Sequence, residues 1–338
     1  MQIAIVILNW NGRKLLEQFL PTVLACSEGG HVYVADNASD DDSVSYLRAH
    51  FPEVTIIQND VNGGFARGYN EALHHVKEEL WCLLNSDVEV TPGWLAPVKK
   101  LFTEMPDTAI AQPKILDYKK KSHFEYAGAA GGFIDRLGYP FCRGRIFQSL
   151  EEDKQQYNDV REIFWATGAC LFIKASVYRE LKGFDEDYFA HQEEIDLCWR
   201  AHNKGYKIRY TGHSSVYHVG GATLDSMNPK KTFFNFRNSL YSITKNLPKR
   251  KVFPLLIARL ILDGVAGLHF LFQGKPKHFI AIIRSHLSYY KNFIRIFSKR
   301  DEINKDFKYF NCTSIVWSYF VYKKKLFNQI TDDEKAGI

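Results

Sequence analysis

Short apolar runs near the start of the chain, at residues 3–8, 32–35 and 54–58 and again from Leu83 up to Asn85-Ser86-Asp87, each give way to a polar cluster. Continuous apolar runs predict strands covered on both faces. Helical stretches separate them: residues 13–25 after the first run, and a capped segment after Asp36-Asn37-Ala38-Ser39-Asp40. A third begins at the glycine turn Asn62-Gly63-Gly64-Phe65-Ala66-Arg67-Gly68-Tyr69-Asn70. Alternating strand and helix predicts an α/β fold with a mixed, mainly parallel sheet flanked by helices, whose ligands gather at the carboxyl ends of the strands. Asn9-Trp10-Asn11-Gly12, Asp36-Asn37 and Asn85-Ser86-Asp87 all fall on that predicted rim.

Asp87 ends its apolar run just before the turn Thr91-Pro92-Gly93. Its position suits a functional carboxylate at the sheet edge and equally a cap for the helix after Pro92. The glycine turn has neither G-x-G-x-x-G spacing nor a G-K-[ST] ending, so it carries no nicotinamide or P-loop signature. From residue 117 to about 159 the pattern breaks into glycine, aromatic and charged residues, which predicts a hairpin or long loop inserted at the rim. Phe164-Trp165-Ala166-Thr167-Gly168-Ala169 then leads into another strand, residues 170–173.

Next comes an acidic focus. Glu193, Asp196 and Arg200 are spaced by three and four residues, and Ile195 and Trp199 by four, which predicts a helix with carboxylates in its first turn. Acidic residues there complement the helix dipole, but Glu193, Glu194 and Asp196 also repel one another. His218 stands alone at the end of a strand, before a glycine pair, and suits a structural or a ligand role.

Beyond residue 228 the period is helical. Residues 232–246 put Phe233, Phe236, Leu240 and Ile243 on one side, and 278–297 are apolar on one side with Lys and Arg around them. Residues 252–272 are strongly apolar but carry Arg259, Asp263 and His269, charges that are costly at a bilayer centre. An interfacial helix, or one packed on the preceding domain, is therefore expected rather than a span. The division is a domain at 1–228 and a basic, amphipathic helical region at 229–338. The net charge of +6 concentrates between residues 245 and 325, interleaved with apolar runs. That pattern suits an anionic membrane surface, and no nucleic-acid motif is present. Six cysteines without CxxC or metal spacing read as reduced, mostly buried thiols. The first residues read as a strand, without the charged region or cleavage site of a signal peptide. The expected location is cytoplasmic, peripheral at the inner face of the membrane.

ILNWNG, ADNASDDDS, NGGFARGYN, LLNSDVEV, WATGACLFIK and YFAHQEEIDLCWR followed by YHVGGAT stand in order over residues 1–225. In that combination the chain resembles the family 2 glycosyltransferases, in their rhamnosyltransferase-like branch. The resemblance implies a GT-A fold, a UDP- or dTDP-sugar donor and Mn²⁺ or Mg²⁺. It implies that Asn9, Trp10 and Asn11 line the base and ribose pocket, that Asp36, with Asn37 beside it, meets the base edge, and that Gly64 and Phe65 approach the nucleotide. Asp87 matches the metal-binding carboxylate of the D-x-D motif, whose first Asp is here Asn85, followed by Ser86. His218 takes the place of a further metal ligand. Trp165, Gly168 and Ala169 fall where the sugars bind. Glu194 stands at the position of the catalytic base, where the family usually has Asp, with Glu193 as its neighbour and Asp196 orienting the helix start.

A carboxylate base and attack opposite the leaving group imply inversion at the anomeric carbon, with the cation steadying the departing diphosphate. The expected function is sugar transfer to a lipid-linked or cell-surface polysaccharide acceptor. A nucleotidyltransferase of similar fold and an inactive, sugar-nucleotide-binding membrane scaffold are the alternatives.

Overall fold

The early apolar runs become the middle of one sheet. In the computed structural model, which describes residues 1–220, 228–301 and 307–330, they form β1 (Ile3–Asn9), β2 (Gly30–Asp36) and β3 (Thr55–Gln58). Helices α1 (Arg13–Cys26) and α2 (Ser43–His50) link them, and α3 (Gly64–Leu73) leads to β4 (Leu80–Asn85). Alternate residues of β1 serve opposite faces: Ala4 and Val6 join one core cluster with α3, while Ile3, Ile5 and Ile7 join another with α1. Each such fully buried Ile, Leu or Val contributes about 1.5–3 kcal/mol, which is why these strands are apolar at every position.

Residues 83–90 do not form one strand. β4 stops at Asn85, the chain turns through Ser86 and Asp87, and β5 (Val88–Val90) pairs antiparallel with a distant strand. After α4 (Leu95–Glu104) and β6 (Thr108–Asp117), the expected hairpin or loop is a small four-stranded antiparallel sheet. Its strands are β7 (Gly132–Ile134), β8 (Pro140–Cys142), β9 (Arg145–Ile146) and β10 (Ser149–Leu150). The chain then returns to the main sheet with β11 (Val160–Glu162) and β12 (Cys170–Lys174), continues through α5 (Ala175–Glu180) and α6 (Glu193–Asn203), and ends this region in β13 (Lys207–His218).

The main sheet runs β11-β13-β6-β12-β4-β1-β2-β3, with β5 also paired to β13. β12 is antiparallel to both β4 and β6, so β6 and β13 point the same way as β1 to β4. Six strand ends therefore share one rim. Register aligns them: Asn9 lies opposite Asp36, Asp36 opposite Gln58, Leu8 opposite Asn85 and His218 opposite Asp117.

The C-terminal helices are α7 (Pro229–Asn246), α8 (Lys249–Phe272) and α9 (Pro276–Ser298). Pro229 begins α7, and the Asn228 side chain caps it by accepting from the Lys230 backbone N–H. Ile243, Leu247 and Val252 belong to the same core cluster as the sheet, so the core continues across residue 228. Arg259 and Asp263 of α8 turn inward and are fully buried. Arg259 Nε donates to Asp263 Oδ1 (3.2 Å), which also accepts from the Tyr139 hydroxyl (2.8 Å), and His286 Nε2 lies 3.1 Å from Asp263 Oδ2. A last segment with α10 (Ile315–Phe320) packs on the inserted sheet, where Phe327 meets the rings of Phe133 and Phe141. All six thiols are free.

Candidate functional site

The strand switch builds the centre of the site. Because β5 crosses to β13 with Val88 opposite His218, Asp87 arrives beside the imidazole. His218 Nε2 is 3.1 Å from Asp87 Oδ1 and 3.4 Å from Asn85 Nδ2, and Nδ1 faces Glu125 Oε1 at 3.4 Å. Asp87, His218 and Glu125 are all buried. Burial opposes a charged imidazole, but the hydrogen bonds and charges of Asp87 and Glu125 outweigh it and push the His218 pKa up to about 10. Two carboxylates that stabilise a proton on this ring form a field suited to a divalent cation. An oxygen donor on Asp87 and a nitrogen donor on His218 form a mixed pair that Mn²⁺ accepts, with Glu125 placed to orient the ring from behind. Among the described residues no group of three or more His, Cys, Asp or Glu forms a metal site.

Along the rim lies a polar ladder. Asn9 Nδ2 donates to Asp36 Oδ1 (3.0 Å), Ser39 N–H to Asp36 Oδ2 (3.0 Å), and Asn11 N–H to the Ser39 hydroxyl (2.9 Å). Asn37 donates to Asn62 and to the Gly64 carbonyl, tying β2 to the glycine turn. Trp10 is about half exposed beside this ladder, and Asn9 Oδ1 is buried without a partner. Ser86 faces Gly12, where a Cβ would lie 3.8 Å from its hydroxyl. These expected nucleotide contacts thus line one continuous edge.

Asn85 N–H bonds to the Ala169 carbonyl, and Gly168 lies against Phe65, so both reach the rim. Trp165 does not. Its ring is buried beneath Gly132, where a Cβ would fall 2.1 Å away, and its Nε1 donates to the Phe133 carbonyl. Trp165, which the resemblance puts where the sugars bind, is here packed in the core.

The acidic cluster divides into two kinds of group. Asp196 is fully buried and accepts from Tyr188, Arg200, Lys245 and Asn246. Burial opposes its charge, yet Lys245 and Arg200 hold its carboxyl well below the usual carboxylate range. With all its acceptor positions engaged, Asp196 anchors α6 and takes no place among groups that could contact substrate. Its stabilising contribution is present at neutral pH and is lost on acidification, because its pKa is lowered on folding. Lys245→Ala leaves that carboxylate short of a partner and is expected to cost about 3 kcal/mol in denaturant unfolding.

Among the described residues, Glu193 and Glu194 each have one buried oxygen without a hydrogen-bond partner. Burial, then the charge of Glu194, raises Glu193 well above the usual range. Burial pushes Glu194 up to about 7, against the pull of the backbone N–H groups at the helix start. A carboxyl that titrates near neutrality is matched to proton abstraction.

The loop before α6 is held under strain. Phe189, His191 and Gln192 have φ of 62°, 69° and 69°, in the left-handed region. Asn238 of α7 pins them, donating its amide to the carbonyls of Tyr188, Ala190 and His191 at 3.2, 3.0 and 2.7 Å. The same loop meets the glycine turn: Phe65 N–H bonds to the Phe189 carbonyl at 2.9 Å, and a Cβ on Gly64 (φ 75°) would be 2.6 Å from that oxygen. Glu125 and Asn238 were not singled out from sequence. Glu125 lies in the aperiodic insertion, and Asn238 is one polar residue in an amphipathic helix, so neither has a local signal of its partners. Gly221, Ala222 and Thr223 of the last motif lie outside the described residues.

A family model described as glycosyl transferase family 2 matches residues 4–181. The N-acetylglucosaminyl-diphospho-decaprenol L-rhamnosyltransferase of Mycobacterium tuberculosis is 25% identical over 235 residues, covering 64% of this chain and 75% of the relative. Rhamnosyltransferase WbbL of Escherichia coli is 22% identical over 259 residues, covering 74% and 94%. Among solved structures, the mannosyltransferase PcManGT from Pyrobaculum calidifontis, in complex with GDP-Man and Mn²⁺, superposes with a TM-score of 0.53 at 14% identity over 86% of this chain and 87% of that one. GalNAc-T7 with UDP, GalNAc and Mn²⁺ gives 0.57 at 14% identity over 72% of this chain, which spans about half, 47%, of the longer protein. The shared architecture is the GT-A fold.

Proposed function

Since the chain belongs to glycosyl transferase family 2, with rhamnosyltransferases among its relatives, we propose that it is an inverting, metal-dependent transferase moving a sugar from a UDP- or dTDP-sugar to a membrane-held acceptor. The observation that carries this reading is the Asp87–His218 pair, 3.1 Å apart on the rim that also carries Asn9 and Asp36. In this scheme Asp87 and His218 hold Mn²⁺ or Mg²⁺, which when bound offsets the charge growing on the departing diphosphate. Asn9, Trp10, Asn11, Asp36 and Asn37 receive the nucleoside, Ser86, Gly64 and Phe65 border it, and Gly168 and Ala169 border the sugar. Glu194 takes the proton of the acceptor hydroxyl as that oxygen attacks the face opposite the diphosphate. Glu193 lies beside it, its own carboxyl raised by burial and then by the charge of Glu194.

The acceptor is proposed to be a diphospholipid-linked glycan or a growing polysaccharide, on the strength of the substrate in the mycobacterial relative's name. The enzyme would then work peripherally at the cytoplasmic face of the inner membrane. A thermal-shift screen of nucleoside diphosphates and nucleotide sugars, with and without Mn²⁺, tests the donor assignment, because a ligand selective for the native state raises its melting temperature. A Mn²⁺-dependent rise with UDP or dTDP compounds is expected. A rise confined to nucleoside triphosphates, with pyrophosphate released, would make the chain a nucleotidyltransferase. Binding of donors without turnover on any acceptor would make it a scaffold.

A further inference from the structure

Helices α8 and α9 carry an apolar surface that no other described part of the chain covers. On α8, Phe253, Ile257, Leu260, Ile261, Val265 and Leu268 repeat at helical spacing and are exposed, Ile257 and Ile261 by 62% and 63%. On α9, Ile280, Ile283, Leu287, Tyr290 and Ile294 do the same, Leu287 by 64% and Ile294 by 84%. Phe253 meets Phe293 across the two helices, 6.1 Å between ring centroids, and Phe320 of α10 approaches His269 of α8 at 6.4 Å. Scattered exposed apolar residues are ordinary, but a continuous face of this extent marks an interaction surface.

We propose that this face docks the protein flat on an anionic bilayer, with α8 and α9 lying in the interface and not crossing it. The docking rests on the proposed function for its purpose, access to a membrane-held acceptor, while the surface itself stands on its own geometry. By length and composition α8 qualifies as a membrane span. Its inner stripe rules against that. Arg259 and Asp263 are locked to Tyr139, Ser239 and His286 of the folded body, and moving α8 into hydrocarbon would tear out that network and strand both charges there. A helix bound to protein along one side and apolar along the other lies along the boundary.

Charge selects the occupant. Between residues 249 and 298 there are nine Lys and Arg and one acidic residue; Arg259 is buried against that acid, Asp263, and Arg295 pairs with Asp187, which still leaves the surface of the two helices basic. A basic rim around an apolar stripe complements anionic headgroups. It disfavours a second copy, because two such faces would bring like charges together. Trp317 and Tyr322, both exposed at and just beyond α10, supply the side chains that favour the headgroup level.

Flotation of the full chain with vesicles tests the proposal, using phosphatidylcholine alone and phosphatidylcholine mixed with phosphatidylglycerol. The wild type is expected to float with the anionic vesicles and far less with neutral ones, and to be released by alkaline carbonate. Ile257→Glu combined with Ile261→Glu, and separately Leu287→Glu, should lower the bound fraction roughly tenfold or more. Both variants should keep the wild-type melting temperature and response to nucleotide sugars. A wild type left in the supernatant with anionic vesicles, a carbonate-resistant protein, or a dimer abolished by the same substitutions would each overturn the proposal. Vesicle binding by a chain that answers to no nucleotide sugar would remove the proposed function and leave the docking face standing. Transfer to a water-soluble acceptor by a chain that ignores vesicles would do the reverse.

Discussion

Glu194→Gln is expected to lower the rate of sugar transfer by about a thousandfold while leaving donor binding unchanged. The substitution keeps the size of the side chain and its contacts with the helix-start N–H groups, and removes only the ability to take a proton. Burial has moved the wild-type carboxyl up to about 7, so its basic form is gained as the pH rises through neutrality. The wild-type rate should therefore climb with pH to a plateau above about 7, and the residual rate of the variant should lose that step. Glu193 titrates with its neighbour, so the observed step belongs to the pair. Steady-state transfer measured across pH, beside donor affinity at one pH, separates the outcomes. A glutamine variant with the wild-type rate and profile would move the base elsewhere.

Asp87→Ala is expected to abolish the Mn²⁺-dependent part of donor binding and to slow transfer by at least about a hundredfold, the equivalent of roughly 3 kcal/mol of lost charge stabilisation. Two effects add at this position. The cation loses its oxygen ligand, and His218 loses the nearer of the two carboxylates that flank it, leaving only Glu125 at 3.4 Å. Titration of nucleoside diphosphate with and without Mn²⁺ reads the first directly. Equal metal enhancement in wild type and variant would show that the diphosphate is neutralised at another site.

Much of this architecture was legible in the sequence because it depends on short-range pattern. Fully apolar runs mark two-sided strands, and the polar clusters after them mark the rim that holds Asn9, Asp36 and Asn85. What escaped depends on partners far along the chain. The strand that stops beside Asp87 is legible, but nothing local says that Val88 and Val90 find their neighbours on β13. The sequence puts Asp196 at the start of its helix, and only the fold brings Lys245 and Asn246 of α7 to its oxygens. The resemblance puts Trp165 where the sugars bind, and only the fold shows its ring lying in the core beneath Gly132. In α8 the sequence shows Arg259 and Asp263 as charges within an apolar run, and the structure adds that both turn inward and pair with each other.

The crossing of β5 to β13 also bears on the order in which the protein can mature. Asn85 and His218 are separated by 133 residues, and β13 pairs with β6, β11 and β5, bordering no strand of the first half-sheet directly. During synthesis β1 to β4 can pair with one another once residue 85 has emerged, since those partners all lie within residues 3–85, while the longer-range closure waits for β12 and β13. Asp87 then meets its imidazole only when about two-thirds of the chain exists. An unfinished chain therefore has the rim of β1 to β4 without the Asp87–His218 pair, which assembles only when the rest of the sheet has closed.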